Sequence, residues 1–349
     1  MQAWQVVRHG PPAQALEMVE LPALGEPGPG LVRVRVAAVS LNFNDVDMCH
    51  GRYPTIQPAL PFTLGMDLCG VVDGVAPGLE AWLGRRVVST GLGGFGGLAE
   101  QAYAPADSLF DAPPALDDAE SAAFFIPFHT MHLALFRRAK LAAGETLLVH
   151  SGAGGLGSAA LQLGVAAGAR VLATAGGPQK VAFCLQLGAD VAIDYRKDDF
   201  VARVLEATGG RGVDVVCDLV GGPVAIPSWR CVAHEGRYLV AGFSSGIEAG
   251  EAGLPMRPVA KGNFSLVGVM LAYLDASIPG LRDAGFSPWP REVGEAVHAD
   301  LVRLLGEGRI RPVVGRRASF DAVPEAYADL EARRTLGRTV IEIAPDRVE

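Results

Sequence analysis

Thr146-Leu-Leu-Val-His-Ser-Gly-Ala-Gly-Gly-Leu-Gly157 is the stretch that decides the fold. Residues 146–150 form a short apolar, strand-like run, and residues 155–167 read as a helix. Between them Gly152, Gly154 and Gly157 stand at G-x-G-x-x-G spacing. One glycine permits the tight turn, one lets backbone approach a pyrophosphate, and one lets the helix pack on the strand. The helix N-terminus adds unpaired N–H groups and the positive end of its dipole. Glycine supplies 44 of the 349 residues, so the spacing alone says little. Its place between a strand and a helix makes it a dinucleotide fingerprint.

Outward from that turn the alternation continues. Acids in the first turn open a helix at Asp118. Residues 170–174, 191–194, 213–217 and 237–241 read as strands, with helices over 179–187 and 200–208. Strands alternating with helices predict βαβ units and a parallel sheet. The apolar run 264–271 is expected to close that sheet at one edge. NAD sites place Asp or Glu about 20 residues past the fingerprint, on the ribose 2′-hydroxyl. Here that point reads Ala173-Thr-Ala-Gly-Gly-Pro-Gln-Lys180, with no carboxylate. An acid would repel a 2′-phosphate, whereas small residues followed by Lys180 admit and neutralise one. Tyr195, at the end of the third strand, can lend a hydroxyl, so NADPH is the expected cofactor.

Residues 1 to about 120 have another character, with short strands between Gly and Pro turns. Leu31-Val-Arg-Val-Arg-Val36 alternates apolar and basic, as a half-buried strand does. Cys69-Gly-Val-Val-Asp-Gly-Val75 and Arg86-Val-Val-Ser-Thr90 are strand-like, and only a short helical turn is expected, over 44–50. In the tail we expect a long amphipathic helix over 292–307, strands over 311–314 and 338–343, and a helix over 324–333. Those last strands have no sheet of their own and must return to one of the two domains.

Composition narrows the function. Half the residues are apolar and 19% are charged, enough for two cores and too apolar for a disordered acidic chain. A net charge of −8 argues against nucleic-acid or anionic-membrane partners. The basic clusters Arg137-Arg138-Ala139-Lys140, Arg316-Arg317 and Arg333-Arg334 read as solvated patches. Five cysteines without a C-x-x-C fit free thiols in a reducing compartment. The first residues carry no basic and apolar leader pattern, and 156–177 is too glycine-rich and polar to span a bilayer. A cytoplasmic protein is expected. Cys49-His50, Cys69, and the pair His129 and His132 are metal ligands by type only, with no third ligand at a recognisable spacing. No metal is expected.

Several further motifs fall in one order: Val39-Ser-Leu-Asn-Phe-Asn-Asp45, Gly51-Arg-Tyr-Pro54, Leu60-Pro-Phe-Thr-Leu-Gly-Met-Asp67 and Phe95-Gly-Gly-Leu-Ala-Glu100. After the glycine turn come Gly242-Phe-Ser-Ser-Gly246, Asn263-Phe-Ser-Leu-Val-Gly268 and Arg333-Arg-Thr-Leu-Gly-Arg-Thr-Val340. Over nearly its whole length the chain resembles the zinc-free quinone oxidoreductases of the medium-chain dehydrogenase/reductase superfamily, the group that includes zeta-crystallin. Asn42 stands where zinc-containing relatives carry the catalytic-zinc cysteine, and Gly65-Met66-Asp67 where they carry Gly-His-Glu. The resemblance implies an α/β protein in which a GroES-like β-rich catalytic domain, 1–121 and 274–349, encloses a doubly wound Rossmann NADPH-binding domain, 122–273. It also implies a homodimer formed through the edge strand near 264–271.

Carried over position by position, Ala153, Gly154, Gly155 and Leu156 resemble the pyrophosphate loop. Gly176, Lys180 and Tyr195 resemble the 2′-phosphate site. Phe243, Ser244, Ser245, Val269 and Leu271 lie where the family holds the nicotinamide half, Gly221 is a further cofactor-binding position, and Arg333 matches a basic residue near the cofactor. Asn42, Asp45, Tyr53 and Thr130 match the nicotinamide and acceptor pocket; Asp45 reads equally as a cap on the following helix. Phe243 and His129-Thr-Met-His132 are bulkier than the family pattern and would reshape that pocket.

The chemistry follows from what is present and what is not. The cofactor performs the difficult step, and the protein places the acceptor and excludes water. No Ser-His-Asp group, paired carboxylate or metal-ligand set is evident, so the acceptor must already be electrophilic. Hydrogen bonds from Asn42, Tyr53 or Thr130 would hold its carbonyl and stabilise developing negative charge. A quinone is the first expectation. An α,β-unsaturated carbonyl or enoyl or acryloyl thioester is the second, with Arg52 and Arg257 as candidate basic residues for a coenzyme A ester. A non-catalytic NADPH-binding protein is the third.

Overall fold

A computed structural model describes residues 1–53, 55–245, 255–274, 281–283 and 285–343. Pro54 and Gly246 of the motifs above lie outside them. The chain divides into two compact units: Met1–Ile126, Ala272–Val302 and Pro312–Glu349 in the first, Pro127–Leu271 and Arg303–Arg311 in the second.

The first unit is β-rich. Strands β1 (Gln2–Val6), β2 (Leu16–Glu20), β3 (Leu31–Ser40), β4 (Phe62–Thr63), β5 (Asp67–Val75), β6 (Arg86–Thr90), β7 (Gln101–Pro105) and β8 (Phe110–Asp111) supply most of it. β1 lies between β2 and β4 in an antiparallel sheet. The alternation at Leu31-Val-Arg-Val-Arg-Val36 does what it predicts: Val32, Val34 and Val36 are buried, and Arg33 reaches out to Asp73 at 2.7 Å. Just beyond β3, the helix Phe43–Cys49 begins at Asn42.

The second unit is the parallel sheet. Strands β9 (Thr146–Val149), β10 (Arg170–Ala175), β11 (Val191–Asp194), β12 (Val213–Asp218), β13 (Val232–Val240) and β14 (Ser265–Gly268) run in the order β11-β10-β9-β12-β13-β14. Every neighbouring pair is parallel. Helices Gly155–Ala166, Pro178–Gln186 and Phe200–Ala207 make the crossovers. The order reverses between β9 and β12, the switch point outside whose carboxyl ends such sheets bind ligands. Leu148, Leu172, Val216, Tyr238, Trp229 and Phe264 fill one core. Residues 303–311 belong here as well: Gln162, in the helix after β9, exchanges hydrogen bonds with the backbone N–H and carbonyl of Arg311 at 2.8 and 3.0 Å.

The tail then returns to the first unit as β15 (Val314–Ser319) and β16 (Arg338–Glu342), which extend the larger sheet in the order β15-β16-β3-β5-β6-β8, with β7 also on β3. Strand β15 lies later than the expected run over 311–314. The reason is its charge: Arg316 and Arg317 read as a solvated patch, yet in the strand they are ion-paired. Arg316 reaches Glu325 at 2.9 Å and also Asp329, and Arg317 reaches Asp117 and Glu342 at 2.5 and 3.0 Å. The helices Arg291–Gly306 and Val323–Glu331 lie within two residues of their expected bounds.

Candidate functional site

The glycine turn is assembled by backbone. Gly152 donates to the Thr174 carbonyl at 3.0 Å, tying the turn to β10, and Gly154 donates to Ser151 O at 3.0 Å. Ser158 makes the first helical hydrogen bond, to Gly154 O at 2.8 Å. The N–H groups of Gly155, Leu156 and Gly157 therefore have no carbonyl within the helix to bond. A Cβ on Gly157 would stand 2.1 Å from Ser151 O and 2.8 Å from the Gly152 Cα, so only glycine lets the helix start this close. A Cβ on Gly154 would meet Ser151 O at an ordinary 3.4 Å. Space at Gly154 is thus left for something other than protein, as a diphosphate cradle requires.

At the end of β11, Asp194 accepts from the backbone of Gly177 at 2.9 Å and of Arg196 at 3.1 Å. Those N–H groups hold its carboxyl below the usual carboxylate range. This arrangement folds the segment after β11 against the segment after β10. A Cβ on Gly176 would stand 2.6 Å from the Tyr195 hydroxyl and 3.0 Å from Arg196 Nε. Lys180 is in the first turn of the helix that starts at Pro178. Gly176 and Tyr195 are therefore together, and Arg196 joins them. The sequence reading missed Arg196, although the basic pair Arg196-Lys197 directly after Tyr195 was the available signal.

The carboxyl ends of β12 and β13 meet likewise. Asp218 Oδ1 accepts from the backbone of Val220 and Gly221 at 2.8 and 3.0 Å, and its other oxygen accepts from the Tyr238 hydroxyl. Gly221 has a φ of 68° and faces Gly242 and Phe243; Ser244 Oγ donates to Leu219 O at 3.0 Å. Gly221, Phe243, Ser244 and Ser245 are brought together, and Ser245 Oγ is buried without a partner among the described residues. Phe243 is half exposed. Val269 and Leu271 follow β14. Thr130 is buried in the helix Phe125–His132, whose Met131 sulfur takes a 3.8 Å contact from Cys217 Sγ. A Gly-rich turn, a helix N-terminus and an orphaned hydroxyl, all at strand carboxyl ends, fit a dinucleotide.

In the first unit, β16 pairs with the end of β3, Val340 opposite Ser40. That pairing brings Arg338 beside Asn42. Arg338 Nη1 and Nη2 each donate to Asn42 Oδ1 at 3.0 Å, Nη2 also reaches Asp67 Oδ2 at 3.1 Å, and Nε donates to Ser40 Oγ at 2.6 Å. Asn42 Nδ2 donates to Ser40 O at 3.2 Å. Asp45 is fully buried; its Oδ2 accepts from the Asn42 backbone N–H at 2.8 Å and the Tyr327 hydroxyl at 2.9 Å. Burial pushes the Asp45 carboxyl up to about 6, against the pull of those two donors and of Arg338. Burial also raises Asp67, with Arg338 opposing. The Tyr53 hydroxyl accepts from Asn44 Nδ2 at 3.2 Å, and its phenol is raised by burial. Tyr53 borders a cavity of about 180 Å³ walled by His9, Met48, Ile56 and Phe62. Arg52 is held by Asp47 at 2.7 Å. Arg333 follows the helix Val323–Glu331 with a φ of 57°.

Among the described residues no three His, Cys, Asp or Glu side chains converge as a metal site, and no helix is long and apolar enough to cross a membrane. All five cysteines are buried as free thiols.

Comparison with known proteins gives a consistent pattern. Residues 28–114 match the alcohol dehydrogenase GroES-like domain, and residues 155–284 the zinc-binding dehydrogenase family. The quinone oxidoreductase of Pseudomonas aeruginosa is 32% identical over 316 residues, 90% of this chain and 92% of that protein. The phthioceranic/hydroxyphthioceranic acid synthase of Mycobacterium tuberculosis is 36% identical over 274 residues, 77% of this chain; the chain spans only 12% of that much longer relative. Among solved structures, the quinone oxidoreductase of Thermus thermophilus, known also in complex with NADPH, superposes with a TM-score of 0.76 at 35% identity, covering 98% of this chain and 100% of that one. The JamJ enoyl reductase gives 0.82 at 25% identity, covering 98% and 99%.

Proposed function

This chain belongs to the quinone oxidoreductase family of the medium-chain dehydrogenase/reductase superfamily, and on that footing we propose that it reduces small electrophilic acceptors, quinones first, with NADPH and without a metal. The observation that carries the reading is the cluster at Gly176. The turn after β10 has no carboxylate of its own, and the neighbouring Asp194 carboxylate is engaged by the backbone N–H groups of Gly177 and Arg196; flanked by Tyr195, Arg196 and Lys180, this turn suits a 2′-phosphate better than a bare ribose. Bound NADPH supplies the hydride. Gly154, Gly155 and Leu156, with Ala153 before them, cradle the diphosphate; Gly221, Phe243, Ser244, Ser245, Val269 and Leu271 take the nicotinamide half, and Arg333 adds a cation. Asn42, Tyr53 and Thr130 hold the acceptor carbonyl and stabilise charge that develops on its oxygen, with Asp45 keeping Asn42 in place. The acceptor takes up a hydride and a proton, two electrons in all, and leaves as the hydroquinone.

A conjugated C=C is the second reading, favoured by the likeness to the JamJ enoyl reductase. The engagement of Arg52 by Asp47 counts against a coenzyme A ester held there. The edge of β14, which among the described residues has β13 as its one neighbouring strand, is where we expect a second copy of the chain to pair. A reducing, cytoplasmic setting goes with the free thiols.

Oxidation of NADPH, and in parallel NADH, is to be followed with 1,4-benzoquinone, 9,10-phenanthrenequinone, an enone and acryloyl-coenzyme A. Turnover of the quinones with NADPH preferred is the expected result. Turnover limited to the enone or thioester moves the protein to C=C reduction. Binding of NADPH with no turnover on any of the four would overturn the enzymatic reading.

A further inference from the structure

Arg338 is the most deeply buried cation described in the first unit, with 5% of its surface exposed, and it is not there to pair one carboxylate. A guanidinium has five N–H donors in a fixed fork. Here two of them, one from each terminal nitrogen, converge on one acceptor, Asn42 Oδ1, both at 3.0 Å. A third goes to Asp67 Oδ2 at 3.1 Å, and Nε to Ser40 Oγ at 2.6 Å. Asp67 supplies the counter-charge that lets a cation stay buried. The Asn42 amide is therefore fixed in one of its two flips. Turned over, its NH2 would face two N–H donors of a cation. Among the described residues Nδ2 spends one N–H, on Ser40 O at 3.2 Å, which leaves the other for a ligand. The backbone of Asn42 is clamped as well, by the Asp45 carboxylate at 2.8 Å, itself held by the Tyr327 hydroxyl.

We propose that Arg338 is a positioning residue that fixes and polarises the Asn42 amide as an N–H donor toward the acceptor oxygen, an inference that rests on the acceptor role given to Asn42 above. Two charge-assisted bonds to Oδ1 draw electron density toward the oxygen and leave Nδ2–H more positive. In a site shielded from water that polarisation is not screened away. Charge forming on the acceptor oxygen during hydride arrival then meets a preoriented donor that needs no reorganisation. Arg338 itself touches neither cofactor nor acceptor in this scheme; it acts through Asn42.

Wild type, Asn42→Ala, Arg338→Gln and the double variant are to be assayed for reduction of 1,4-benzoquinone by NADPH, with NADPH affinity measured by calorimetry in each. Asn42→Ala is expected to lower kcat on the order of 100-fold, and Arg338→Gln at least about tenfold. The double variant should fall no further than Asn42→Ala, with NADPH affinity within about twofold throughout. A purely structural Arg338 would instead add its loss to that of Asn42→Ala, and that multiplicative result overturns the proposal while leaving the acceptor reading intact. Wild-type kcat in Asn42→Ala would overturn the acceptor reading and this proposal together. Arg338→Lys keeps the charge beside Asp67 and guards against a misfolded Gln variant. It should lose kcat about fivefold or more, because an ammonium cannot reproduce the fork; a wild-type kcat in this variant also overturns the proposal.

Discussion

At the scale of single residues, Asp45 has a consequence for stability that can be worked out with its sign. The carboxyl is completely buried, Oδ1 has no partner among the described residues, and its pKa rises to about 6. The groups around it include Tyr327, the Asn42 backbone, Arg338, Asp67, Cys49 and Tyr53. A carboxyl raised in the folded state holds its proton more tightly there than in the unfolded chain. The stability it contributes is complete below the unfolded value of 3.8 and is lost as pH rises through about 6. Across that interval the loss amounts to about 3 kcal/mol at most. Asp45→Asn removes the charge and is expected to gain thermal stability over wild type as pH rises from acid to neutral. Melting curves of the two proteins that stay parallel across that range would contradict the burial argument. The site residues themselves were unevenly legible. Gly176, Lys180 and Tyr195 stand at offsets fixed by the strand–helix alternation. Arg196 was passed over because it lies just beyond a strand end, where only the turn held by Asp194 directs it to Gly176. Arg338 was missed because 296 residues separate it from Asn42, and only the β16–β3 pairing joins them.

At the scale of elements, the glycines of the turn divide into two kinds. Gly157 is required by the protein's own packing, since a Cβ would overlap Ser151 O, whereas Gly154 has room for one. Gly157→Ala should therefore cost about 1–3 kcal/mol of stability and weaken NADPH binding with it. Gly154→Ala should melt within about a degree of wild type yet lose NADPH affinity, because its Cβ would occupy the diphosphate's place. A Gly154→Ala protein that binds NADPH as wild type does would remove that glycine from the cradle. The parallel sheet was legible in sequence because short, mostly apolar runs such as Thr146–Val149 and Val191–Asp194 alternate with helix-period segments, whereas the first half of β13, with His234 and Glu235, was not read as strand. Nor was strand β15. Its Gly315-Arg-Arg reads as surface, and only the ion pairs to Glu325, Asp329, Asp117 and Glu342 let that sequence serve as a strand.

On the scale of the whole molecule, the sequence divides into a β-rich unit and a dinucleotide unit, and the chain's tail serves both. Residues 303–311 pack with the second unit through Gln162, a polar side chain in an apolar helix whose purpose sequence pattern could not reveal. The proposed NADPH preference of the dinucleotide unit rests on Tyr195 and Arg196 beside Gly176 and on Lys180 in the helix that follows. The most direct measurement is calorimetric affinity for NADPH and NADH in wild type, Lys180→Ala and Arg196→Ala. Wild type is expected to bind NADPH at least about tenfold more tightly than NADH, and each variant to lose NADPH affinity while holding NADH. Equal affinity for the two cofactors in wild type, or equal losses of both in the variants, would contradict that expectation.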